Sequence, residues 1–373
     1  MSMAKPIPFM GLALKNPVII AAGPWSGGAA AIQKCIDAGA AAVITETIVM
    51  EEPRLFSPRI YYHDDELLNL SLYGKRTLEE WEGEAERVRK DGCYLICSIR
   101  ASSPSEIAYI AQRTERLGAD ALQLDLYAPM DSMIEDIHLQ PEKLYEFVHA
   151  AVSAVSIPVM TRLPYNLVAS APHLRAVERA GLRAVCAIES LRALSGVDLE
   201  TKTTLMPTYG GYTGRHIRPI SLAATATLAQ LTDLPICGVG GVEDYRGILE
   251  FIMLGAAAAQ LGSAIMLHGY DLISKTVRAL EDWMDAHGYD DYASITGAAL
   301  SSLTPFEKAV HRRAVCRMTQ PCSRTGCGLC TCGCMYGALV MEPDGVHLNS
   351  SQCTGCGLCV QRCPQGLFFL ETF

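Results

Sequence analysis

A chain of 373 residues, half of them apolar, has room for one large domain and a small companion. Its net charge of −9 excludes a nucleic-acid binder built on phosphate contacts, which would need clustered Lys and Arg. No apolar run nears the ~20 residues of a membrane span, and the early run 18–22 is too short for a secretory leader, so a reducing, cytoplasmic setting is expected.

In chain order, short apolar runs alternate with amphipathic stretches from about residue 17 to 290. The runs cover 17–22, 41–48, 93–99, 121–126, 158–163, 184–188, 234–239 and 257–261. Helix-like segments such as 105–117, 142–155, 173–180 and 244–254 lie between them. Eight buried strands separated by helices predict an α/β (β/α)8 TIM barrel, with an open doubly wound sheet as the rival. The intervals 51–81 and 198–219 lack clean helix periodicity and read as long loops of the kind that cover a site. Residues 1–302 are assigned to the barrel, 303–321 to a linker and 322–373 to a cysteine-rich module. Cys35, Cys93, Cys97, Cys186 and Cys237 lie in apolar surroundings and are expected as small core residues.

Nine of the fifteen cysteines fall between Cys322 and Cys363. The clearest set reads Cys353-Thr-Gly-Cys356-Gly-Leu-Cys359-Val-Gln-Arg-Cys363-Pro364. Thiolates at this spacing curl round one cubane, and the fourth, before proline, reaches the other cluster of a pair. Upstream, Cys327, Cys330 and Cys334 stand as the second, third and fourth members of a similar run. Its first position holds Arg324, so Cys322, two residues back, is expected to reach in, with Cys332 as the alternative. One [4Fe–4S] cluster is thus assigned to Cys322, Cys327, Cys330 and Cys363, the other to Cys334, Cys353, Cys356 and Cys359. Zinc has no use for this spacing, and disulfides would need an oxidising compartment.

The chemistry of a barrel sits at the carboxyl ends of its strands. Gly238-Val-Gly240-Gly241 ends the seventh run and Leu261-Gly262-Ser263 the eighth. Glycines there let backbone amides approach a phosphate. A G-x-G-x-x-G before a helix is missing, so no nicotinamide dinucleotide site is read.

Three blocks, Gly211-Tyr-Thr-Gly-Arg-His-Ile-Arg-Pro219, Pro235-Ile-Cys-Gly-Val-Gly-Gly241 and Leu254-Gly-Ala-Ala-Ala-Ala-Gln-Leu-Gly-Ser263, resemble the flavin-binding blocks of dihydroorotate dehydrogenases. Asn16-Pro17, Ser57-Pro-Arg59 and Asn69 fit that pattern as well. With the cysteine module added, the chain is most similar to the FMN- and iron–sulfur-bearing subunits of bacterial dihydropyrimidine dehydrogenases. The resemblance implies an FMN enzyme acting on a carbon–carbon double bond, with electrons passing through the clusters. It also implies a partner subunit that holds FAD and binds NAD(P), and an oligomer. Gly240, Gly241, Gly262 and Ser263 match the phosphate cradle, while Ala22, Gly23, Thr47 and Gly214 match residues along the flavin ring. His216 and Arg218 match positioning residues.

Several positions depart from that family. Its strand-two lysine is Glu46, its strand-five lysine beside the flavin is Arg162, and its strand-six asparagine is Glu189. Its loop with the acid/base cysteine reads Asp125-Leu-Tyr127-Ala128-Pro129, and Ala128 cannot exchange a proton. Glu46, Asp125 and Glu189 therefore predict an acidic pocket for a cationic or hydrogen-donating substrate. The rival is a rewired pocket in which Arg162 pairs with a carboxylate. Tyr127 is the chosen proton donor, with Asp131 and His138 as alternatives. Trp25, Tyr61, Tyr62 and Tyr73 are expected near the rim. A second hypothesis makes the barrel a scaffold for electron-transfer clusters only, and a third is a flavin enzyme whose step needs no proton donor.

Overall fold

The computed structural model describes residues 5–50, 57–70, 73–127, 140–310, 312–322 and 327–373. Ala128, Pro129, Asp131, His138 and Arg324 lie outside these. The chain divides into two compact units, Met1–Ser302 and Leu303–Phe373.

In the first unit every expected apolar run contains a strand. These are β1 (Val18–Ile20), β2 (Ala42–Ile44), β3 (Tyr94–Ile99), β4 (Ala121–Leu124), β5 (Val159–Leu163), β6 (Ala184–Ala187), β7 (Ile236–Val239) and β8 (Ala258–Leu261). All neighbours run parallel, and Ala259 opposite Val18 joins β8 to β1, which closes the barrel and removes the open-sheet alternative. The strands are buried almost throughout because helices cover their outer faces and side chains fill the interior. Cys35, Cys93, Cys97, Cys186 and Cys237 are all buried.

The helices α1 (Ala29–Asp37), α2 (Leu78–Ala85), α3 (Pro104–Arg116), α4 (Pro141–Ala154), α5 (Ala171–Arg179), α6 (Arg218–Leu231), α7 (Tyr245–Met253), α8 (Ser263–His268) and α9 (Asp271–His287) follow from local signals. Thr77 and Glu80 form a capping box on α2, Ser103 caps α3 ahead of Pro104, and Asp244 caps α7 through the amides of Arg246 and Gly247. No helix among the described residues is long and apolar enough to cross a membrane.

The two intervals read as loops hold more order than their sequences advertise. Strands Leu191–Ala193, Gly210–Thr213, Glu66–Asn69 and Ile60–His63 lie side by side in that order in a four-stranded antiparallel sheet. Asn69 sits opposite both Ile60 and Gly211. The pairing that joins the sheet's two halves, Asn69 with Gly211, spans more than 140 residues, so no local pattern announces it.

The second unit repeats a Cys-Gly-Leu-Cys turn. Gly328 and Gly357, with φ of 60° and 80°, precede the short helices α10 (Leu329–Cys332) and α11 (Leu358–Arg362). A hairpin of Leu339–Glu342 and Gly345–Leu348 lies between them in sequence. Residues 303–321, expected as a linker, are not one throughout. Ala314–Met318 pairs antiparallel with Phe368–Thr372, so this stretch belongs to the cysteine unit. The strand is short and Cys316 pairs with Leu370, far along the chain, which hid it from local reading.

Candidate functional site

The carboxyl ends of the barrel strands and the four-stranded sheet enclose a cavity of about 1180 Å³, its open mouth included. Its lining takes in Ala22 and Gly23 after β1, Glu46 and Thr47 after β2, and Asp125 and Tyr127 after β4. Arg162 enters from β5, Glu189 and Ser190 from beyond β6, Gly240 and Gly241 from beyond β7, and Gly262 and Ser263 from beyond β8. Asn69 comes from the sheet. Gly214 is not on the lining but turns the chain (φ 85°) between lining residues Thr213 and Ile217; His216, Arg218, Tyr61 and Tyr62 are not on it either.

The acidic residues are organised round Arg162. Its Nη2 donates to Asp125 Oδ2 at 2.9 Å, and its Nε contacts Glu189 Oε2. Thr47 Oγ1 donates to the same Asp125 oxygen at 2.9 Å and lies 3.0 Å from Ser98 Oγ. Glu189 Oε1 accepts from the Ser190 amide at 2.8 Å and its hydroxyl at 2.9 Å. Burial opposes charge on Arg162, but Asp125 and Glu189 outweigh it and hold the guanidinium charged. Burial pushes the Glu189 carboxyl up to about 7; Arg162 opposes that shift and Asp125 adds to it. The rewired pocket is therefore the arrangement found, with two carboxylates on one guanidinium.

Glu46 points elsewhere. Its Oε2 accepts from the Lys75 amide at 3.4 Å, and burial raises its carboxyl against the lowering effect of that amide and of Lys75, Arg76 and Arg59. Burial, and then Glu189, hold the half-buried Tyr127 phenol in its protonated form, with Arg192 opposing.

Among the aromatics, Trp25 and Tyr73 line the cavity; the Trp25 indole donates to Ala21 O at 2.7 Å, and Arg100 lies over the Tyr73 ring at 5.2 Å. Tyr62 is exposed and bonds Asp65. Arg218 pairs with Glu250 at 3.4 Å, as suits a positioning role. Gln260 went unremarked in the sequence, yet it lines the cavity and donates to Gln123 Oε1 at 3.0 Å. Only its place on β8 in a closed barrel reveals it.

In the second unit, Cys334, Cys353, Cys356 and Cys359 line one small cavity together with Cys316 and Cys330. Burial raises the Cys330 thiol against its own and the Thr331 amide, with Cys322 and Cys363 adding to the rise, and these three cysteines pack on one small apolar core. Cys327 is partly buried at the start of the first Cys-Gly-Leu-Cys turn. Cys332 is exposed and its thiol faces Leu329 O at 3.7 Å. Cys353 Sγ accepts from the amides of Cys316 at 3.2 Å and Gly355 at 3.4 Å, and Cys363 Sγ from the Leu367 amide at 3.5 Å.

A closed parallel barrel with an acid-lined pocket at its strand ends, joined to a cysteine-rich unit, defines a class of redox enzymes. The profile described as dihydroorotate dehydrogenase matches residues 6–284, and that of a 4Fe–4S binding domain matches 346–368. The chain belongs to the dihydroorotate dehydrogenase family, flavin oxidoreductases acting on CH–CH bonds, and carries a 4Fe–4S domain. It is 30% identical over 298 residues to the catalytic subunit of dihydroorotate dehydrogenase B (NAD(+)) of Pyrococcus abyssi, covering 78% of this chain and 97% of that one. It is 26% identical over 350 residues to the NAD-dependent dihydropyrimidine dehydrogenase subunit PreA of Escherichia coli, covering 89% and 85%. A dihydroorotate dehydrogenase crystal structure from Eimeria tenella shares the fold, with a TM-score of 0.68 and 18% identity over 79% of this chain and 88% of that one.

Proposed function

We propose that this chain uses FMN to add or remove hydrogen across a carbon–carbon bond of a small ring bearing N–H or amine groups, with two [4Fe–4S] clusters carrying the electrons. FMN is assigned to the unit of residues 1–302 and the clusters to 322–373. The carrying observation is that the glycine turns after β7 and β8 open on the same cavity as Asp125 and Glu189.

The residues present fit the cofactor. Gly240 and Gly241 have φ of 117° and 74°, and a Cβ on Gly241 would meet Arg218 Cβ at 2.5 Å, so only glycine brings this turn's backbone to the cavity. Gln260 Oε1 and Asp125 Oδ1 are buried without a protein partner, as groups awaiting a polar ligand would be. Bound FMN supplies hydride acceptance or donation. Gly240, Gly241, Gly262 and Ser263 hold its phosphate through backbone groups. Ala22, Gly23, Thr47 and Arg162 flank its ring, and Gly214 shapes the turn beside it.

Of the activities named for the relatives, the dihydropyrimidine one suits this pocket better than the dihydroorotate one. A substrate carboxylate would face two carboxylates sharing one guanidinium, with Glu46 on a further wall. Asp125 and Glu189 instead accept hydrogen bonds from ring N–H groups, and Asn69 orients the ring from the sheet. Tyr127, kept protonated, moves the proton that Ala128 cannot. Both named relatives are subunits, which supports an assembly with a partner that holds FAD and binds NAD(P), or with a ferredoxin. Thiolate ligands call for a reducing compartment, and we place the protein in the cytoplasm.

The test is anaerobic bleaching of the flavin band at about 450 nm in the purified protein. Dihydrouracil or a cyclic amine is expected to bleach it and dihydroorotate to leave it. Equal bleaching by dihydroorotate would overturn the substrate class, and colourless protein would overturn the flavin assignment.

A further inference from the structure

Cys316 belongs to neither four-cysteine set, yet it is 2% exposed and stands on the strand Ala314–Met318 beside one of them. Its Sγ lies 3.3 Å from Cys359 Sγ, and its backbone amide donates to Cys353 Sγ at 3.2 Å. It lines the same small cavity as Cys334, Cys353, Cys356 and Cys359. The strand is pinned by pairing with Phe368–Thr372, where Cys316 sits opposite Leu370. A residue that touches two of four ligand sulfurs at once, one through its thiol and one through its amide, is placed to act on both.

We infer that Cys316 is a positioning residue that tunes the cluster held by Cys334, Cys353, Cys356 and Cys359, its S–H donating to the Cys359 thiolate and its N–H to the Cys353 thiolate. The inference rests on the cluster assignment proposed above. When a cubane accepts one electron, the added charge spreads onto the ligand sulfurs. Donors aimed at those sulfurs stabilise the reduced form and raise the potential. Among the described residues, Cys363 receives only the Leu367 amide at 3.5 Å, and no thiol. The cluster beside Cys316 would therefore hold the electron more readily than the same cluster without this thiol. A further cysteine used only as filler would do no such thing.

The experiment uses the full chain, purified anaerobically, as wild type and as Cys316→Ala, Cys316→Val and Cys316→Ser. Iron and sulfide are counted first, and both clusters are then titrated by electron paramagnetic resonance. Iron absent from the wild type would sink the cluster assignment itself. With iron at the wild-type level, Cys316→Ala and Cys316→Val are expected to move one of the two midpoint potentials to a more negative value and leave the other. Cys316→Ser, which keeps a donor, is expected to stay near the wild type. Unmoved potentials in Ala and Val, an equal shift in all three variants, or a shift in Ala alone would each overturn the inference in favour of packing. Loss of about half the iron in all three would overturn it in favour of a ligand role.

Discussion

At the scale of single residues, the decisive substitutions are carboxylates that share a cation. Arg162 receives Asp125 on one edge and Glu189 on another, so the guanidinium cannot be removed without leaving buried charge behind. Glu189 carries a consequence for pH. An ordinary glutamate titrates near 4.5, whereas this one sits near 7 because burial disfavours its charge. Between those values the folded chain keeps a proton that the unfolded chain has released. The stability it confers is whole below pH 4.5 and is lost as the pH rises through about 7. Thermal unfolding of wild type and Glu189→Gln across this window should show the wild type losing about 1–3 kcal/mol relative to the variant. Parallel curves would place the shifted proton elsewhere.

Elements explain what a sequence discloses and what it conceals. The eight strands were legible because each is a short apolar run buried on both faces, and α3 or α7 because their apolar residues recur at helical spacing. The strand-end glycines and carboxylates were legible as types, and they converge because barrel topology gathers all strand ends on one rim. The partnership of Arg162 with both acids was not legible, since it depends on side-chain reach across β4, β5 and β6. Nor was the four-stranded sheet, whose register joins Asn69 to Gly211 across the chain. The turn after β7 gives a test at this scale. Gly241→Ala places a Cβ 2.5 Å from that of Arg218 at a φ of 74°. It is expected to cost about 1–3 kcal/mol and to lower the flavin-to-protein absorbance ratio severalfold. A full flavin complement in this variant would remove Gly241 from the phosphate cradle.

For the whole molecule, the two units divide the labour: one closes round a polar cavity, the other assembles sulfurs with few buried apolar residues of its own. The small core of Cys316, Leu339, Val346, Leu367 and Phe368 has six of the proposed ligand cysteines packed against it. Cluster binding should therefore supply much of this unit's stability, as structural metals do in small domains. Wild-type chain is expected to hold about eight irons, four to a cubane. Cys322→Ala should reduce that to about four, and Cys332→Ala should leave it unchanged, because Cys322 packs on this core whereas the Cys332 thiol is turned to Leu329 O. Iron loss in Cys332→Ala with retention in Cys322→Ala would reverse the ligand choice.

The four-stranded wall over the barrel draws two of its strands from the excursion after β2 and two from the excursion after β6. Each half is a hairpin of its own, and the two meet along one seam, Glu66–Asn69 against Gly210–Thr213, so the shape of the entrance is co-owned by stretches separated by most of the barrel. Grafting a relative's loop from one excursion alone would leave backbone amides and carbonyls unmatched along a seam. Redirecting this scaffold to a different ring would thus require both excursions to be exchanged together, as a matched pair.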